Sequence, residues 1–162
     1  MAALLIALAI GSSIAVAMAV EKQWYNRTAV YTLDTTGSQI VLDSATGTAT
    51  ITIVLHNTGS VVAYIGGITI IQNKVQVNFV DEQAWITGWG VGSPTEGNTT
   101  FSSANAFIGD DWVTLPPQQS VYITFSYQNM NQLMQPGNRY VATIIPFNGG
   151  NVMTFSLTVQ SD

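Results

Sequence analysis

The sequence predicts an α+β chain: a long N-terminal hydrophobic α-helix followed by an all-β sandwich of the immunoglobulin-like kind. Three observations predict it. The first twenty of the 162 residues carry no charge. Beyond residue 25, apolar and polar side chains alternate with the period of half-buried strands. Turn-forming tripeptides separate those runs, and no stretch after residue 25 has the period of a long amphipathic helix.

The opening run, MAALLIALAIGSSIAVAMAV, has Ser12 and Ser13 as its only polar side chains. At about 1.5 Å per residue it reaches roughly 30 Å as a helix, the thickness of a bilayer's hydrocarbon core. Glu21, Lys22, Gln23, Trp24 and Tyr25 come next, a charged and aromatic collar of the kind found at a membrane–water boundary. A helix apolar on all sides must lie in lipid or among other such helices. Leu4, Leu5, Ile6, Leu8, Ile10, Ile14, Val16 and Val20 are its candidate polymerising residues, with Trp24 and Tyr25 at the junction between helix and sandwich. Gly11-Ser12-Ser13 allows close helix approach or a local loosening of the backbone. A cleaved secretory signal is the rival reading, because Ala17-Met18-Ala19 supplies an A-x-A site. The basic n-region such a signal wants is missing, which favours a retained helix.

Strict alternation begins at Thr48. Ala49, Ile51, Ile53 and Leu55 share one face, and Thr48, Thr50 and Thr52 the other. Val121, Ile123, Phe125 and Tyr127 repeat the pattern, as do Met153, Phe155, Leu157 and Val159. Weaker strand candidates cover 28–33, 39–43, 61–72, 75–80 and 140–147, with turns at Thr36-Gly37-Ser38, Asn57-Thr58-Gly59, Pro136-Gly137-Asn138 and Asn148-Gly149-Gly150. Seven or eight short strands at this spacing suggest a sandwich with Greek-key connections. The stretch 82–112, with Trp85, Trp89, Phe101, Phe107 and Trp112, is less regular and reads as a surface excursion. Two domains are therefore expected: residues 1–25 as the polymerisation or transmembrane helix, and residues 26–162 as the extracellular β-sandwich.

Composition narrows the function. Four Lys and Arg stand against nine Asp and Glu, and only 8% of residues are charged, where about 25% is usual. Thr, Ser, Asn and Gln supply 53 residues instead. Four scattered cations cannot neutralise a phosphate backbone, so nucleic acid is excluded as a partner. Without cysteine there are no disulfides, thiolate metal sites or thiol nucleophiles. A coat of neutral polar side chains also changes little with pH, so a muted response to acid is expected.

No catalytic, metal or cofactor site emerges. His56 is the single histidine. It has no G-x-S-x-G or other nucleophile motif to serve, and it reads as a strand-end histidine. Asp110-Asp111 and Asp81-Glu82 are potential Ca²⁺ donors, but neither pair belongs to a D-x-D-x-D-G loop, and both read as solvated turn acids. Gly88-Trp89-Gly90-Val91-Gly92 fails to complete G-x-G-x-x-G because Ser93 stands at the last glycine. Asn26-Arg27-Thr28 and Asn98-Thr99-Thr100 satisfy the N-glycosylation sequon, making Asn26 and Asn98 candidate glycan sites.

The uncharged N-terminal helix, the Trp-Tyr collar and the Thr-rich sandwich together resemble the archaeal type IV-like pilins. The run Ile51-Thr52-Ile53-Val54-Leu55-His56-Asn57-Thr58-Gly59-Ser60 is similar to the alternating strand ending in N-T-G of pilin and archaellin sandwiches. Leu5 stands where bacterial relatives carry a glutamate, if Met1 follows a removed basic prepeptide. The resemblance implies a non-enzymatic subunit without cofactor or metal. Such a subunit is stored in the membrane and then polymerises with itself through its helix into an extracellular cell-surface filament for adhesion, with a surface or glycan as target. An archaellin of a motility filament and a membrane-anchored surface binding module are the alternatives.

Overall fold

The computed structural model describes residues 31–70, 74–89, 93–147 and 151–162. Among them there is no helix, and so none long and apolar enough to cross a membrane. Twelve strands account for the architecture. In chain order they are β1 (Leu33–Asp34), β2 (Gln39–Asp43), β3 (Thr48–Asn57), β4 (Ala63–Ile70), β5 (Val75–Val80) and β6 (Gln83–Gly88). The second half supplies β7 (Thr95–Phe101), β8 (Phe107–Ile108), β9 (Val113–Leu115), β10 (Ser120–Tyr127), β11 (Arg139–Pro146) and β12 (Met153–Ser161).

The α+β class with an immunoglobulin-like sandwich is overturned by the pairing. The strands hydrogen-bond in the order β11-β12-β2-β3-β10-β7-β6-β5-β4, and β11 then pairs with β4, closing a nine-stranded barrel. A sandwich keeps two sheets joined only by connections. Here β7 bonds both β6 and β10, while β12 bonds both β11 and β2. The β12–β2 pair is parallel, Val159 opposite Ile40, and every other pair is antiparallel. Closure needs an adjustment on β11, where the register to β4 slips between Ile145 and Pro146. The irregularity fits a proline that has no N–H to donate. A one-face alternation is common to sandwich and barrel, which is why strand period could not separate them. The long helix expected over residues 1–25, with Leu4, Leu5, Ile6, Leu8, Ile10, Ile14, Val16, Val20, Trp24 and Tyr25, lies outside the described residues. The β unit itself runs over Tyr31–Asp162.

The interior is set by the alternation. Ala49, Ile51, Ile53 and Leu55 of β3 are buried, as are Val121, Ile123, Phe125 and Tyr127 of β10. Ile40 and Leu42, Ile65, Ile68 and Ile70, Val75, Val77 and Phe79, and Leu157 and Val159 complete the lining from neighbouring strands. Each large aliphatic side chain so removed from water contributes about 1.5–3 kcal/mol before entropy is counted. Closure also removes long open edges, the usual template for unwanted strand addition.

The stretch 82–112 is not an excursion, because it supplies β6 and β7, two staves of the barrel. β7 reads as TEGNTTF and lacks an apolar stripe because Gly97 occupies an inward position. A Cβ there would stand 2.7 Å from Ile86 Cδ1. The missing side chain is therefore the space that Ile86 fills. Gly88 ends β6 at φ +132°, where an added Cβ would collide with the Lys74 carbonyl. Trp89 comes next and packs edge-on against Tyr127 (5.5 Å between ring centroids) and Tyr140 (6.2 Å), at that end of the core.

Candidate functional surfaces

The N-T-G turn is built around a buried amide. Asn57 is 0% exposed. Its Nδ2 donates to the carbonyls of Val61 (2.7 Å) and Leu115 (2.8 Å), and its Oδ1 accepts from the Gly59 N–H at 3.0 Å. Its backbone is held from the other side by Gln119 O (2.9 Å) and Gln118 N–H (2.7 Å). Gly59 approaches Thr32 so closely that a Cβ would lie 2.9 Å from the Thr32 nitrogen, and the Thr58 N–H donates to Thr32 O at 2.8 Å. This turn ties the chain at residues 31–32 to the start of β4 and to β9.

His56 sits beside it, directly opposite Ser120 of β10, with Nδ1 2.7 Å from Ser120 Oγ. Asp34 is the partner of His56 on the other flank, and serine, histidine and aspartate are thereby brought together. The arrangement is not a triad. Asp34 Oδ1 accepts from Thr36 N (3.0 Å) and Thr36 Oγ1 (2.7 Å). Those bonds, and secondarily the nearby His56, hold the Asp34 carboxyl below its usual range. Ser102 Oγ accepts from Ser120 N–H at 2.7 Å and donates to Gln119 Oε1 at 3.0 Å. The polar chain closes the seam between β3, β10 and β7, as expected for a strand-end histidine.

The outward face of β2, β3, β10 and β7 is a lattice of neutral hydrogen-bonding groups. One row runs Gln39, Thr52, Thr124, Asn98 across the four strands. The next runs Val41, Thr50, Ser126, with Thr50 Oγ1 and Ser126 Oγ 3.1 Å apart. Val54, Tyr122 and Thr100 form a third row. Asn98 is thus an exposed position within a strand, and not part of a loop.

A second outward surface is aromatic. Tyr64, Thr114 and Phe107 stand in one row across β4, β9 and β8. The Phe147 N–H donates to Tyr64 O at 2.9 Å. Trp112 stacks on Phe147 with centroids 4.5 Å apart and donates its indole N–H to Thr114 Oγ1 at 3.0 Å. Phe107 is 50% exposed and Phe147 44%, with Ile145 close by in the same condition.

The remaining sequence candidates fall in turns and strand ends. Asp81 and Glu82 are the two central residues of the β5–β6 hairpin, with φ of 51° and 63°, a left-handed turn that matches strand twist. Asp110 and Asp111 form the exposed tip between β8 and β9, closed by a 2.7 Å bond from Gly109 N–H to Trp112 O. No group of three His, Cys, Asp or Glu converges among the described residues. Of the Gly88 to Gly92 run, Gly88 ends a strand and Trp89 packs on the core, while residues 90–92 lie outside the described residues, as does Asn26. Sequence reasoning missed the aromatic surface, because Tyr64 and Phe147 lie far from Phe107 and Trp112 in the chain. It also missed the burial of Asn57, since N-T-G is equally the spelling of an ordinary exposed turn.

No family model matches the chain, and no curated protein matches it. Among solved structures it is similar to a β-glucosidase from Erythrobacter marinus at 13% identity and a TM-score of 0.31, covering 80% of this chain and 15% of that one. The chain therefore spans a small part of that enzyme, and a likeness of this size carries no argument about activity.

Proposed function

We propose that the protein is a structural subunit of an extracellular surface filament of the archaeal type IV-like pilus kind, serving adhesion. One observation carries the reading: twenty uncharged, almost wholly apolar residues are joined to a β unit that is poor in charge. Such a run cannot face water, and lateral association of many copies removes it from water. The closed barrel supports the reading in a second way. With no long edge to extend, copies of the β unit do not associate by strand addition, which leaves association to the apolar segment and to the faces of the barrel.

A membrane-anchored surface binding module is the second reading, favoured by the aromatic cluster at Tyr64, Phe107 and Phe147. Electron microscopy of material sheared from cells without detergent separates the two. Continuous filaments whose averaged density holds this chain uphold the subunit reading. Protein that stays in the membrane fraction as a monomer, with no filament containing it, overturns that reading in favour of the binding module.

A further inference from the structure

We propose that the β unit carries a head-to-tail contact with a second copy of this chain, in which the basic end of one barrel seats on the acidic, aromatic flank near the far end of the next. The inference rests on the filament reading above and adds to it a contact outside the apolar segment. Of the four Lys and Arg, Lys74 and Arg139 are the two among the described residues, and both are exposed. They share one end of the barrel. Lys74 immediately precedes Val75, which pairs with Ile70 of β4. Arg139 lies three residues before Ala142, which pairs with the same Ile70 from its other side. Val141, 55% exposed, shares the outward face of β11 with Arg139, and Leu133, 59% exposed, is tied to this end by a 3.1 Å bond from the Tyr140 hydroxyl to its carbonyl. The basic end is therefore also apolar.

The opposite end of β11 leads into Phe147, roughly 25 Å along the strand from Arg139. Trp112 stacks there on Phe147, with Phe107 half exposed nearby and Asp110 and Asp111 at the exposed tip that runs into Trp112. Asp81 and Glu82 turn between β5 and β6 beyond Asn78, the partner of Gly67, and so fall toward the same end. No described Lys or Arg stands among these acids. At the basic end the acids are Asp43 and Asp162, on the β2 side. The Asp43 carboxylate is already held by the Thr46 hydroxyl at 2.7 Å and the Ala45 N–H at 2.8 Å.

This division of charge selects the second copy and its orientation. Two copies joined symmetrically through the aromatic flank would set Asp110 and Asp111 against their own counterparts, in a chain whose net charge is already −5. A copy presenting its basic end instead gives those acids Lys74 and Arg139, and covers Phe107 and Phe147 with Leu133 and Val141. The apolar burial supplies the attraction, and the charges fix which end meets which. Because the two surfaces lie toward opposite ends of one barrel, the contact is heterologous, the kind that repeats as an open filament when its rotation does not close.

The test uses filaments sheared from cells and treated with a carbodiimide, which joins an amine to a carboxylate in direct contact with loss of one water. Mass spectrometry should find Lys74 joined to Asp110 or Asp111, a link that one barrel cannot make within itself because the groups lie toward opposite ends. Arg139→Glu should lower the filament yield at least about tenfold, since like charges set across an interface weaken it strongly. Adding Asp111→Lys should restore the yield, whereas adding Glu96→Lys, which returns the same net charge elsewhere, should not. Circular dichroism should show that all three variants fold, because these side chains are exposed. Filaments without the link, an unchanged yield in Arg139→Glu, or equal rescue by Glu96→Lys would each overturn the contact and leave the filament reading intact. Absence of filaments from cells making the unaltered chain overturns the filament reading, and the contact with it.

Discussion

The two outward faces of the barrel cover the same kind of aliphatic interior with opposite chemistry. Across β2, β3, β10 and β7 the exterior is mainly Thr, Ser, Gln and Asn, with Val41, Val54 and Tyr122 among them, and is partly bonded to itself through Thr50 with Ser126 and His56 with Ser120. Across β4, β9 and β8 it is Tyr64, Phe107 and, beside them, Phe147, left half in water. The first face has its hydrogen bonds met by its own rows and by solvent, and needs no partner to be stable. The second retains apolar area whose burial is still available, so association should be sought there. The inward pattern alone would never distinguish them.

The largest expected effect contrasts inside with outside on one strand. Ile53→Ala should cost about 2–5 kcal/mol in denaturant unfolding, whereas Thr52→Ala, its neighbour on the outward face, should stay within about 0.5 kcal/mol. Equal effects would mean that the polar face is also holding the fold.

Gly97→Ala probes the seam where β7 joins the two halves of the ring. The new methyl meets Ile86 Cδ1, and overpacking of this kind should cost about 1–3 kcal/mol. Pairing the change with Ile86→Val should recover part of the loss. No recovery would show that the strain lies elsewhere.

Tyr127 lies on the inner side of the polar wall with a buried hydroxyl that has no hydrogen-bond partner. Burial pushes its pKa up to about 12. A raised folded-state value means that the barrel keeps its full stability below about pH 10, the ordinary tyrosine value. It then loses stability as pH climbs from there toward 12 and the unfolded chain ionises first. Tyr127→Phe should raise stability at neutral pH by about 1 kcal/mol and flatten the alkaline decline. A lower Tm in the variant would show that the hydroxyl is bonded, for example to an internal water.

On the aromatic face, Phe107→Ser should change stability by no more than about 0.5 kcal/mol, since the ring is half exposed, yet reduce the yield of assembled or surface-bound protein. Unchanged assembly would transfer the interaction to another surface.

The smallest effect belongs to acid. Asp43, bonded by Thr46 and the Ala45 N–H, and Asp34, bonded by Thr36, both titrate below the usual carboxylate range. Depressed values stabilise the fold above the unfolded pKa, and that contribution disappears as pH falls through the lower folded values. Both carboxylates are exposed, so the loss should be slight. Tm measured from pH 7 to pH 3 should fall little, and by less still in the Asp34→Asn, Asp43→Asn double variant. Cooperative unfolding near pH 3 would contradict the muted acid response expected of a neutral polar coat.

Residue patterning made much of the barrel legible. The runs 39–43 and 75–80 coincide with β2 and β5, and the alternation from Thr48 gives β3 to within one residue. It misread β6 and β7 as a surface excursion, because Trp85 faces outward and Gly97 inward, reversing the usual meaning of a large and a small residue. Asp34, His56 and Ser120 were legible only as separate residues, because their meeting depends on the β1–β3 and β10–β3 registers. The assembly of Tyr64, Phe107, Trp112 and Phe147 into one surface likewise required the pairing of β4 with β9 and of β9 with β8.

By itself the sequence determined that the greater part of the chain is strand-rich, which side chains of β3, β10 and β12 turn inward, and that its surface is nearly free of charge. Those properties come from local period and composition, which each segment carries alone. Only the tertiary structure decided that the strands close into a barrel rather than stack as two sheets. Closure depends on β11 reaching β4 and on β12 lying parallel to β2, hydrogen bonds between backbone groups that are chemically the same in every strand and so leave no mark in the order of side chains.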